Sequence, residues 1–146
     1  MAMDTTIVVS VIAAASGVVV TSVSYYLTKK KEREADWRKY KFEQYKEFLV
    51  SMSGIVGTDS TPEGNRSFAK ASNTLHLIGS KGVLAALHAY QDEIRDSNQN
   101  KSAEKHDALL SKLIWEIRMD VGIPETPEVN EFFVYLWCSG TNKPVG

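Results

Sequence analysis

The sequence predicts an all-α protein: an N-terminal transmembrane helix followed by a small antiparallel helical bundle. Three observations carry this. Thr5 to Leu27 is a run of 23 residues without a charged side chain. A dense cluster of lysine and arginine follows it at once. The rest of the chain repeats apolar residues at three- and four-residue steps, broken by short polar connectors that carry Gly, Pro, Ser and Asn.

The apolar run, "TTIVVSVIAAASGVVVTSVSYYL", spans roughly 35 Å as a helix, against about 30 Å for the hydrocarbon core of a bilayer. A lone segment in lipid must satisfy its own backbone hydrogen bonds, and only a helix does so. The many valines do not oppose this, because helix propensity is a weak prior. Tyr25 and Tyr26 stand at the exit, where amphipathic rings favour the headgroup level. A cleavable signal peptide would carry a positive n-region and a shorter apolar core, whereas this chain begins "MAMD". A buried core helix would seldom go so long without a charge.

Orientation follows from the flanks. The basic residues nearest the run, Lys29, Lys30, Lys31 and Arg33, all lie on its C-terminal side. Lys and Arg favour the cytoplasmic side of a span. The expected layout is residues 1–4 outside, 5–27 in the inner (plasma) membrane, 28–56 a juxtamembrane amphipathic helix, and 57–146 the rest of a cytoplasmic bundle with an apolar tail. The net charge of -1 conceals this asymmetry. From Thr28 to Glu47 eight basic residues face five acidic ones, and from Asp59 onward nine face twelve. No global positive field invites nucleic acid. Glu32, Glu34 and Asp36 dilute any selectivity of the basic belt for anionic lipid.

Within the span, Ser10, Ala13, Gly17, Thr21 and Ser24 recur every three or four residues. This stripe of small residues is a candidate face for association between spans; small residues are also simply common in spans.

Past the basic belt, Ala35, Phe42, Tyr45, Leu49, Met52 and Val56 fall on one helical stripe. Glu34 with Arg38 and Lys39 with Glu43 have the spacing for pairs on the wet face. Thr61 and Pro62 begin a second helix, with Phe68, Ala71, Leu75 and Ile78 on its inner face. Ser80 caps a third, carrying Val83, Leu84, Leu87, Tyr90 and Ile94. The fourth presents Leu109, Leu110, Leu113, Ile114, Ile117 and Val121, and stops at Gly122 with Pro124 beyond. The final "TPEVNEFFVYLWCSG" is ambiguous. Thr126 and Pro127 read as a helix start and Val129, Phe132, Phe133, Leu136 and Trp137 fit helical spacing, yet "FFVYLW" is rich in strand formers. It is expected to dock on the bundle as an apolar tail; a partner-binding patch is the sharper reading.

Chemistry is sparse. Cys138 stands alone, so no disulfide forms within the chain. There is no phosphate loop, calcium loop or paired-histidine zinc helix, and His76, His88 and His106 have no metal-ligand spacing. The sequence therefore nominates no catalytic residue, no metal site and no cofactor. Arg118 and Asp120 interrupt an apolar helix. They fit either a ligand contact or an ion pair that closes the bundle, for instance Arg118 with Asp92 or Glu93.

The order of span, "KKKERE", "DWRKYKFEQYKEFL", "NTLHLI" and "LLSKLIWEIRMDVGI" resembles a group of bacterial membrane-anchored proteins. They have one N-terminal span and a cytoplasmic helical domain ending in an arginine-any-aspartate-leucine-glycine-like run. Val121 stands where leucine is usual. The resemblance implies a bacterial inner membrane and an all-helical domain, and it implies no activity. The expected role is a single-pass anchor whose cytoplasmic domain binds a protein partner or itself. Two alternatives come from other classes. One is an oligomeric pore-forming or membrane-disrupting effector built on the Ser10 to Ser24 face. The other is a membrane-tethered ligand-binding domain or enzyme using Arg118, Asp120 and a histidine.

Overall fold

A computed structural model describes residues 4–55, 60–123 and 127–136. The chain is all-α. Helix α1 covers Thr5–Met52 and passes into a 3-10 turn at Ser53–Ile55; α2 is Pro62–Ile78, α3 is Lys81–Ile94 and α4 is Ala103–Val121. A second 3-10 turn, Val129–Glu131, lies in the C-terminal stretch, and no strand forms among the described residues. The chain divides into two compact units, Met1–Lys39 and Tyr40–Gly146.

The described part of unit 1 is Asp4 and the first part of α1, and its large apolar residues are exposed except Val8, which is half-buried. In unit 2 every helix start is fixed by a side-chain cap, two of them expected from the sequence and the third, Ser102, supplied by what the sequence suggests only as a polar turn. Thr61 Oγ1 accepts the Gly64 N–H, and Pro62 takes the first helical position, where no donor is needed. Ser80 Oγ accepts the Val83 N–H and Ser102 Oγ accepts the Lys105 N–H. Helix α4 ends at Gly122, whose φ of 68° places it in the left-handed region. Its N–H and that of Ile123 then return to the carbonyls of Met119 and Arg118.

The core of unit 2 collects the inner faces of all four helices. Tyr45, Phe48 and Met52 from α1 are buried with Phe68, Leu75, Val83, Leu87, Tyr90, Leu110 and Leu113. The Phe48 and Phe68 rings stack at 5.6 Å between centroids. Each large apolar side chain removed from water contributes about 1.5–3 kcal/mol before conformational entropy is counted. Of the faces expected for α2, α3 and α4, Phe68, Ala71, Leu75, Ile78, Val83, Leu87, Tyr90, Leu110, Leu113, Ile117 and Val121 are buried, while Leu84, Ile94, Leu109 and Ile114 are half-buried at the margin. Helix α1 differs. Phe48 is buried, whereas Phe42 is 49% exposed. Phe48 is one turn from Tyr45 and from Met52, so the inner stripe runs 45, 48, 49, 52. Val56 lies outside the described residues.

Two close backbone approaches shape the domain. A Cβ built on Gly64 would lie 2.1 Å from the Gly54 carbonyl oxygen, so the 3-10 turn and the first turn of α2 meet backbone to backbone. At Gly82 a Cβ would meet the Glu116 carboxylate. The Glu116 side chain thus reaches from α4 to the amino end of α3, where the helix dipole favours a negative charge.

The C-terminal stretch is neither the helix nor the strand that its residues suggest. Beyond the 3-10 turn, Phe132, Val134 and Leu136 are half-buried while Phe133 and Tyr135 are exposed. That is the two-residue alternation of an extended segment. It docks on α4: the Trp115 indole donates to the Pro127 carbonyl at 2.7 Å, and the Val134 N–H donates to Ser111 Oγ at 2.9 Å. The backbone donor is met by a side chain, so no ladder is required. Thr126, Trp137 and Cys138 lie outside the described residues.

Candidate functional site

The most distinctive surface belongs to unit 1. α1 contains a stretch long and apolar enough to cross a bilayer, and none of its most apolar window is buried. Val18 is 67% exposed and Val20 65%, with Val9, Val11, Ile12 and Val19 close behind. Apolar side chains therefore point outward all round the helix, which is costly in water and favourable in lipid. The hydroxyls within the stretch are turned inward. Ser16 donates to the Ile12 carbonyl, Thr21 to that of Gly17 and Ser22 to that of Val18, each at 2.8 Å. These three donors are spent within the helix, which lowers the cost of bringing them into hydrocarbon. Of the candidate association face, Ala13, Gly17 and Ser24 are exposed with Ser10 and Thr21, and a Cβ on Gly17 would meet nothing within 4 Å.

The basic flank is exposed and locally paired. Lys29 Nζ lies 2.7 Å from Glu32 and Lys30 Nζ 3.9 Å from Glu34. The hydrogen bond from Lys29 to Glu32 raises the lysine pKa further, keeping it charged. Glu43 pairs with Lys46. These are the partners the side chains take, in place of the expected Glu34–Arg38 and Lys39–Glu43; such exposed pairs differ by only a few tenths of a kcal/mol.

In unit 2 the structure separates the two polar residues of α4. Asp120 receives Lys41 Nζ at 2.7 Å, both side chains nearly buried, and the Tyr45 hydroxyl donates to the same carboxylate oxygen. Burial and the Asp120 carboxylate both push the Tyr45 phenol well above its usual range, so it stays a donor. Lys41 occupies the position one turn before Tyr45 on the inner stripe. Apolar periodicity cannot reveal a lysine there, which is why this pair is missed in the sequence. Arg118 takes another course. Its guanidinium lies 5.6 Å from the centre of the Phe132 ring, and its Nε has no hydrogen-bond partner among the described residues. The carboxylates considered for it are engaged elsewhere: Asp92 with Arg95, Glu93 with Lys105.

A cleft of about 690 Å³ opens beside α3 and α4, lined by Phe68, Tyr90, Glu93, Arg95, Lys101 and His106 among others. Its polar groups are mutually satisfied. Glu93, 2% exposed, accepts the Ser102 N–H at 2.9 Å and pairs with Lys105 at 2.6 Å. The Lys105 hydrogen bond is the main reason its pKa is lowered, with the Ser102 N–H next. His106 bridges two groups: Nδ1 is 3.0 Å from Asp107 and Nε2 is 3.1 Å from the Tyr90 hydroxyl. Proton on Nδ1 leaves Nε2 to accept from Tyr90. Burial raises the Tyr90 pKa to about 12, so the phenol is not a nucleophile near neutrality. The network fixes the α3–α4 connection.

His76 and His88 are brought together on the surface, one from α2 and one from α3. Their Nε2 atoms are 3.0 Å apart. Twelve positions separate them in sequence, so helical spacing gave no sign of it. No cluster of three or more His, Cys, Asp or Glu able to hold a metal occurs among the described residues.

No protein-family model, curated protein or solved structure matches the chain.

Proposed function

We propose that this is a single-pass membrane-anchored protein whose cytoplasmic helical domain binds a protein partner or a second copy of itself. The observation that carries the reading is the stretch within residues 5–27. It exposes apolar side chains on all sides, spends the hydroxyls of Ser16, Thr21 and Ser22 on its own carbonyls, and has Lys29, Lys30, Lys31 and Arg33 on one side only. The rule that orients spans counts Lys and Arg rather than net charge, so pairing with Glu32 and Glu34 does not cancel it. The N-terminus is then outside and residues 28–146 lie in the cytoplasm. Exposed Leu77, Met119, Phe133 and Tyr135 on the helical domain supply apolar contact area for a partner, and confinement to the membrane plane raises the effective concentration of anything held there.

Two measurements test this. Alkaline extraction of membranes should leave the full-length chain in the pellet, and a reporter active only outside the cytoplasm should be silent when fused after Gly146. An active reporter would reverse the orientation; a chain released to the supernatant would remove the anchor. For partner binding, photo-crosslinking residues placed at Leu77 and Phe133 in native membranes should give discrete adducts, and none at either site would end the interaction reading.

A further inference from the structure

We propose that His76 and His88 form a two-imidazole site for a late first-row transition-metal dication, Cu2+ or Ni2+, on the outer face of the α2–α3 corner. The inference does not depend on the membrane orientation.

The corner itself is rigid. Only Gly79 and Ser80 separate α2 from α3, the Gly79 N–H closes the end of α2 on Leu75 and Ser80 caps α3. Two helices joined so tightly fix the histidines of one against the other. Both rings are exposed, so an ion from solvent reaches them without unfolding anything.

Three features fit a metal. First, the donor spacing. Two nitrogens 3.0 Å apart, each about 2.05 Å from one ion, subtend about 95° there. Neighbouring positions of a tetragonal field need about 90°, which is the preference of Cu2+ and Ni2+. A tetrahedral ion would take the nitrogens about 3.3 Å apart, which the same ring rotation also reaches; the choice of Cu2+ over Zn2+ rests on the affinity order of divalent first-row ions, which peaks at copper. Second, the tautomer. His76 Nδ1 lies 3.2 Å from the Ser72 carbonyl, which can only accept, so the ring proton sits on Nδ1 and the lone pair on Nε2. A ligating histidine commonly has its other ring N–H held by a carbonyl in this way. Third, the field. His76 lies in the last turn of α2, whose carbonyl end favours added positive charge.

Coordination replaces the hydrogen bond between the two Nε2 atoms. His88 carries its proton on Nδ1 instead, and the rings turn about χ2, a broad torsion, until both lone pairs meet at one point. Among the described residues no third protein ligand is at hand, so water completes the coordination. Protons compete for the same lone pairs, and uptake weakens on acidification. Imidazole donors also exclude Mg2+ and Ca2+, which take oxygen.

The test uses full-length protein in detergent, carrying no polyhistidine tag, titrated with CuCl2, NiCl2 and ZnCl2. One equivalent of Cu2+ should bind, with electron paramagnetic resonance showing two imidazole nitrogens. His76→Ala and His88→Ala should each leave one nitrogen and weaken binding by about tenfold or more, and the double variant should abolish the site. Both positions are exposed, and far-UV circular dichroism confirms that the variants stay folded. No uptake by the wild type, equal uptake by the double variant, or tighter binding of Zn2+ than of Cu2+ would overturn the assignment.

Discussion

Replacing Gly64 with alanine sets two effects of opposite sign against each other. Gly64 lies in the first turn of α2, and alanine is the better helix former by up to about 1 kcal/mol. Propensity alone therefore predicts a more stable domain. The structure predicts the reverse. The new Cβ would lie 2.1 Å from the Gly54 carbonyl oxygen, 2.7 Å from its carbonyl carbon and 2.8 Å from its Cα. All three are backbone atoms, so no side chain can swing away. The 3-10 turn and α2 must separate by more than an ångström, and the nearby Phe48–Phe68 contact joins α2 to the end of α1 that leads into the turn. Overpacking of this kind costs about 1–3 kcal/mol, and a backbone clash belongs at the upper end. Offset by propensity, the net loss is about 2 kcal/mol, or a melting temperature lower by about 10 °C for a domain of this size. The assay is thermal unfolding of the full-length protein in detergent, followed by near-UV circular dichroism so that the apolar helix does not mask the transition. Gly17→Ala, where a Cβ meets nothing within 4 Å, is the neutral control. A Gly64→Ala protein as stable as wild type, or more so, would refute the close approach.

Other consequences follow from the polar contacts. Lys41→Ala leaves the nearly buried Asp120 without its cation and should cost about 3 kcal/mol, while Lys41→Met with Asp120→Leu should recover most of it; denaturant unfolding of the two variants decides. Tyr90→Phe removes the hydroxyl from His106 and should destabilise by about 1 kcal/mol in the same assay. Glu93 has its pKa lowered below the ordinary 4.5 in the folded chain. Its contribution is therefore present above the unfolded value and is lost as pH falls through the folded one. Denaturant midpoints measured downward from neutrality should show an acid limb that Glu93→Gln flattens.

The fold was largely legible in the sequence because its signals are local. Thr61, Ser80, Ser102 and Gly122 mark helix ends by their own side chains or lack of one, and the stripes of α2, α3 and α4 are simple counting. Contacts between distant segments were not legible. Lys41 meets Asp120 across 79 positions, and an apolar template reads a lysine at that point as a break in the face. The His76–His88 pair is hidden similarly, since which faces of α2 and α3 meet depends on the corner geometry. The C-terminal stretch docks on the bundle as an apolar tail, as expected; its local conformation stayed open between helix and strand because its aromatic residues suit both, and the deciding factor is Ser111, an acceptor on another helix that engages the Val134 N–H.

Helix α1 serves two masters along its length. Residues up to Leu27 carry the apolar surface, and Tyr45, Phe48 and Met52 of the same helix are interior side chains of the second unit. A proteolytic cut therefore has very different results depending on where it falls. Severing the chain between Lys31 and Lys39 would shed a water-soluble product that keeps every interior residue, and severing it a few turns later would strip out the aromatic heart of what was released.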